Sequence, residues 1–207
     1  MSVAAIRAAL GLWRSGSQPG FDWRLTHVDG LPQLSPVTLI RRALLACPDE
    51  APSPGTTGLD FVADPRLRAS IRLDISAAES NLANGEWKGA TVLAGAAVEA
   101  LLLWAIQNHE LRNAGAAARA GNALVAAGMF DRSPNADPER WDLHQYTEVA
   151  AHLALITAPT AAQVRLARDF RNLIHPGRAA RVGQTCDRAT ALAALAAAMF
   201  VVRDLGR

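Results

Sequence analysis

The sequence predicts an all-α fold: an antiparallel helical bundle carrying a Pro/Gly-rich N-terminal extension. From Asp64 onward apolar residues recur at helical spacing, as at Leu67, Ile71, Ile75, Ala78 and Leu82. No alternating run of convincing strand length follows residue 64, and no internal repeat is evident. Half of the 207 residues are hydrophobic and 19% are charged, close to globular averages of about 45–50% and 25%. That composition excludes a wholly disordered chain, and the length allows one domain with an appendage, or two small ones.

Residues 1–64 form the extension, punctuated by Pro19-Gly20, Gly30, Pro32, Pro36, Pro48, Pro52, Pro54-Gly55 and Gly58. Short helices are expected at Val3–Arg14 and Pro36–Ala46, the second with Ser35 as N-cap and Pro36 at its first position. Phe21–Leu34 is read as a short hairpin, and Cys47–Asp60, rich in Pro, Ser, Thr and Gly, as a linker.

Residues 65–207 form the helical domain. Its first helix is capped by Asp64, carries Pro65 in the first turn and ends near Asn84-Gly85. A second, Glu86–Asn108, contains the small residues Ala90, Gly95, Ala96 and Ala97, which let a neighbouring helix approach closely; the two make a central hairpin. Arg112–Ala127 supplies a third helix, followed by a polar loop, Phe130–Glu139. Trp141–Ile156 comes next, with Leu143, Tyr146, Val149, Ala150 and Leu153 at helical spacing, then a turn at Thr157–Thr160 around Pro159. A helix from Ala161 stops at His175-Pro176-Gly177, and the last, Cys186–Leu205, follows a turn at Gly183.

The formal charge is +2, and of the 21 basic residues Lys88 alone is lysine. Arginine suits bidentate phosphate contact, but a GC-rich genome gives the same bias, so composition permits nucleic acid without indicating it. Cys47 and Cys186 lie far apart with no CxxC, which suggests free thiols in a reducing compartment and no zinc site. Arg7 interrupts the apolar start, so no signal peptide is read and the cytoplasm is expected. The runs Ala90–Ile106 and Ala189–Val202 fall short of the roughly 20 apolar residues that cross a bilayer, so no membrane partner is expected.

The chemistry-bearing segment is Val164–Arg178. At 100° per residue Leu166, Phe170, Leu173 and Ile174 form an apolar stripe, while Arg168, Arg171, Asn172 and His175 recur at i, i+3, i+4 and i+7 on the other side. Pro176 should leave His175 at a helix C-terminus, where the dipole favours imidazolium and the two arginines oppose it. A histidine so balanced suits general acid–base work; an Arg-rich solvated face with a capping histidine is the plainer alternative.

Arg168-Asp169, with six residues from Arg168 to His175, resembles the signature of the HEPN superfamily: an arginine, usually followed by Asn, Asp or His, then a histidine after four to six intervening residues. Thr91–Leu102, a small-residue stretch preceding Glu99, looks like the second helix of that group, and the resemblance extends over about residues 65–207. Arg171-Asn172 is the better-looking Arg-polar pair but leaves only three residues before His175, so either arginine is open as the motif residue. Gly177 stands where one toxin branch carries the tyrosine modified by a nucleotidyltransferase, so that regulation is not transferred.

The resemblance implies a metal-independent endoribonuclease, working without a cofactor as a homodimer whose two motifs meet at one cleft. RNA would be the substrate, and a toxin or defence role would bring an antitoxin or regulatory partner. His175 would move protons while Arg168 and Arg171 stabilise phosphoryl oxygens, with Asp169 and Asn172 supporting. Glu99, costly in an apolar helix if unpaired, should pair with Arg168 or Arg171, or else anchor two helices through another arginine. Arg178 and Arg181, just past the break, are candidates for extending an RNA-binding surface.

Two weaker patterns stand beside this one. His144, Glu148 and His152 recur every four residues but lack a complementary ligand cluster, which favours an exposed or dimer-facing stripe over a metal site. The five tryptophans and Tyr146 read as core rather than stacking platforms, since none interleaves with basic residues. The rival function is a non-catalytic helical module that dimerises and binds nucleotide, RNA or a protein, as many HEPN members are not known to cleave anything.

Overall fold

A computed structural model of the chain describes residues 52–207. The helices expected at Val3–Arg14 and Pro36–Ala46, the hairpin at Phe21–Leu34 and Cys47 lie outside the described residues. Within them the fold is all-α: α1 (Pro65–Ala83), α2 (Trp87–Arg112), α3 (Ala116–Ala126), a 3₁₀ turn (Pro138–Arg140), α4 (Leu143–His152), α5 (Ala158–Asn172), α6 (Pro176–Val182) and α7 (Arg188–Leu205).

Helix α2 is the axis of the bundle because it is apolar nearly all round, and α1, α7, α4, α5 and α3 all pack on it. It has the length and apolarity to cross a bilayer, unlike the shorter run read from the sequence, but over half of that stretch is buried inside the bundle. Ile71 and Ile75 of α1 and Leu101, Leu102 and Ile106 of α2 are fully buried, each stabilising the fold by roughly 1.5–3 kcal/mol.

Helix α1 starts where expected: the Asp64 carboxylate accepts from the N–H groups of Arg66 (2.8 Å) and Leu67 (3.3 Å). It ends at Asn84, and Gly85, at φ +81°, takes the left-handed conformation that reverses the chain into α2. Residues 52–64 are packed on the bundle, not open linker. Leu59 and Val62 enter the core, Arg72 donates to the carbonyls of Thr57 and Thr56, and the Phe61 ring lies 5.5 Å from Trp104.

Five boundaries differ from expectation. Helix α2 runs one turn further, to Arg112, and α3 begins only at Ala116. Trp141 precedes α4 instead of opening it; its indole N–H donates to the Asn135 carbonyl (2.6 Å), anchoring the polar loop, while Asp142 makes a reciprocal capping box with Gln145. Pro159 stands in the first turn of α5 rather than in a separate turn. Pro176 likewise opens α6, so the segment after His175 is a short helix closed by Gly183 at φ +66°.

The phase of α5 also differs. Its buried residues are Thr160, Ala161, Val164 and Ala167, whereas Leu166 is 42% exposed. Arg168 and Arg171 follow Val164 and Ala167 by four residues, so they border the packed face and do not oppose it. Both are half-buried.

Candidate functional site

Three elements converge on a cavity of about 440 Å³. Helix α2 supplies Val92 and Glu99; the start of α4 supplies Asp142 and Leu143; the end of α5 and its exit supply Arg168, Arg171, Asn172, Ile174 and His175. Asp169 is exposed and does not line it. Arg178 and Arg181 lie exposed on α6, outside the lining, with the Arg181 Nε donating to the Gly177 carbonyl (3.2 Å).

Glu99 forms an ion pair with Arg171, through Oε1 and Nη1, so of the partners considered Arg171 is the one observed. The side chains are 29% and 33% exposed, which spares both charges full desolvation. Gly95, one turn before Glu99, makes the reach possible. A Cβ there would stand 3.1 Å from the Arg171 Cδ, so the arginine stem lies across bare backbone of α2. A guanidinium carries five donors, and the bond to Glu99 leaves others for a ligand.

His175 is the N-cap residue of α6, not a helix C-terminus as the sequence suggested. Its carbonyl accepts from the N–H groups of Arg178 and Ala179 (3.0 Å each), while its imidazole makes no capping bond. The side chain is exposed and lines the cavity, free of the structural duty that a capping histidine would have.

Two carboxylates escaped the sequence reading. Asp142 reaches the cavity because it caps α4, its Oδ1 accepting from the Gln145 N–H (2.9 Å); the Asp-x-x-Gln spacing was the available signal. The spacing places Glu148 on an exposed or dimer-facing stripe with His144 and His152, but its side chain is only 3% exposed, turned into the bundle. Arg165 grips it in bidentate fashion, Nε to Oε1 and Nη2 to Oε2 at 2.7 Å each, and His144 Nδ1 stands 3.6 Å away. Arg165's hydrogen bonds hold the Glu148 carboxyl below its ordinary value against the opposing effect of burial, with His144 and Arg168 adding to the effect. Burial and the charge of Glu99 push the Tyr146 phenol up, and its hydroxyl donates to the Pro138 carbonyl (2.7 Å), as befits a core residue.

The cavity thus brings together two guanidiniums, an imidazole, an amide and two carboxylates, a set able to bind a phosphoryl group and move a proton beside it. Compared with family models, with curated proteins and with solved structures, the chain matches none.

Proposed function

We propose that this cavity is the half-site of a metal-independent endoribonuclease of the HEPN type, completed by the same cavity of a second copy. In this reading the protein is a cytoplasmic toxin or defence effector, held in check by an antitoxin or regulatory partner. The observation that carries the proposal is that His175, with no capping bond on its imidazole, lines the same cavity as Arg168 and Arg171.

The ribose 2′-hydroxyl attacks the adjacent phosphorus, and the P–O5′ bond breaks. His175 of one copy takes the 2′-hydroxyl proton, and its counterpart gives a proton to the departing 5′-oxygen. Arg168 and Arg171 hold the non-bridging oxygens as negative charge builds on them, and Glu99 fixes the angle of Arg171. The products are a 2′,3′-cyclic phosphate and a 5′-hydroxyl.

The test is cleavage of end-labelled RNA by the purified protein in excess EDTA, beside His175→Ala and Arg168→Ala at matched concentration. Wild type is expected to leave cyclic phosphate ends, with each variant slowed on the order of 10²–10⁴-fold, the usual worth of a positioned acid–base or oxyanion group. Equal activity in all three would mark a contaminant and end the proposal. The Glu99–Arg171 pair, which neutralises one guanidinium, favours a second reading: a dimeric module that binds nucleotide, RNA or a protein without cutting. An inert wild type that still binds would establish it.

A further inference from the structure

Beyond that cavity, the polar loop and the start of α4 line a second, open one of about 490 Å³, with Arg132, Ser133, Asn135, Arg140, Asp142 and Gln145 around it. Asp142 is a wall of both cavities, so the two adjoin. We propose that this second cavity holds a nucleotide of single-stranded RNA beyond the two joined by the cleaved bond, an inference that rests on the ribonuclease reading.

The donor balance of the lining is what points to such a ligand. Asn135 Oδ1 accepts from the Asp137 N–H (2.9 Å) and Gln145 Oε1 from the Asp142 N–H (3.0 Å). Only oxygen can accept from a backbone N–H, so the orientation of both amides is fixed, and each keeps its NH₂ group without a protein acceptor among the described residues. Ser133 donates its hydroxyl to Asn122 Oδ1 (2.7 Å). Arg140 is held loosely by Asp137, Nε to Oδ2 at 3.6 Å, with both side chains mostly in water.

The lining therefore offers two guanidiniums and two amide NH₂ groups against the single carboxylate of Asp142. A ligand rich in acceptors and carrying negative charge complements it. Phosphodiester oxygens match the guanidiniums, and base carbonyl and ring-nitrogen acceptors match the amides. Base edges are open to such donors only when unpaired, which selects a single strand over a duplex.

The test uses 2′-O-methyl oligonucleotides, which lack the attacking hydroxyl, as a fluorescent dinucleotide and hexanucleotide titrated by anisotropy against the 207-residue chain. Wild type should bind the hexanucleotide more tightly than the dinucleotide. Arg132→Gln/Arg140→Gln should lose that gain, on the order of tenfold, leave the dinucleotide unaffected, and lower the slope of log K against log salt by about 1.4 for two single-strand phosphate contacts. Both arginines are exposed, and an unchanged thermal melt together with the two single variants separates loss of contact from misfolding. An unchanged hexanucleotide affinity in the double variant, or no binding of either length by wild type, overturns the subsite. A length-dependent gain that the variants abolish, in a protein that never cuts unmodified RNA, keeps the subsite and overturns the nuclease reading instead.

Discussion

In the proposed nuclease Glu99 acts through Arg171, as a positioning residue, and one substitution tests that role. Glu99→Gln keeps the shape and a hydrogen-bond acceptor but loses the charge that orients the guanidinium. A misplacement of about 1 Å costs on the order of 10²-fold in rate, so the variant is expected to lose about that much kcat with little change in KM. Single-turnover cleavage with saturating RNA measures it; an unchanged kcat would leave the pair as a helix anchor only. That Glu99 needs a cation was legible in the sequence, because a lone carboxylate in the apolar stretch Ala90–Ile106 demands one, but the choice among Arg168, Arg171 and another arginine was not. Glu148 was not legible, since four-residue spacing with two histidines reads equally as a solvated stripe, and only the fold shows Arg165 reaching it from α5.

At the scale of elements, α5 borrows its N-cap. Thr157 makes no capping bond to the helix, and the Asp204 carboxylate of α7, 2% exposed, accepts from both the Thr157 N–H (2.9 Å) and its hydroxyl (2.7 Å). Burial works to raise this carboxyl, but the hydroxyls of Thr160 and Thr157, the Thr157 N–H and Arg203 overcome it and hold the group well below its ordinary value. Asp204→Ala is expected to destabilise the protein by about 1–2 kcal/mol, the upper part of the range for a lost cap, measured by urea unfolding. Asp142 separates a second pair of effects. Asn caps as well as Asp, so Asp142→Asn should melt like wild type while changing the charge of both cavities, whereas Asp142→Ala should lose about 1 kcal/mol.

The helices that packing makes obvious, α1, α2 and α7, were legible because long apolar periods leave little choice of phase. Helix α5 was misphased because alanine does the packing: Ala161 and Ala167 are buried while the larger Leu166 is exposed, and hydrophobic contrast is poor in an alanine-rich chain. Pro176 stops α5, but proline's fixed φ suits the first turn of a new helix equally well, and here it opens α6.

For the whole molecule, the depressed carboxyls set an acid limit. Glu148 and Asp204 both have folded values below their ordinary 4.5 and 3.8. Between ordinary and folded values the unfolded chain binds more protons, so the stability they confer is complete above about pH 5 and is lost as pH falls through the folded values. Urea midpoints across acidic pH should fall below that point, and the fall should be shallower in Glu148→Gln; a midpoint indifferent to acid would contradict the linkage.

Gly95 gives the bundle a mechanical property. Where two helices meet through apolar side chains, a small change in their separation is absorbed by rotamer shifts. Here the spacing between α2 and α5 is spanned by the stem of Arg171 lying on bare backbone, with its head tethered to Glu99 on the same helix. The stem occupies the space a side chain at Gly95 would fill, so Gly95→Ala would displace it together with the guanidinium paired to Glu99.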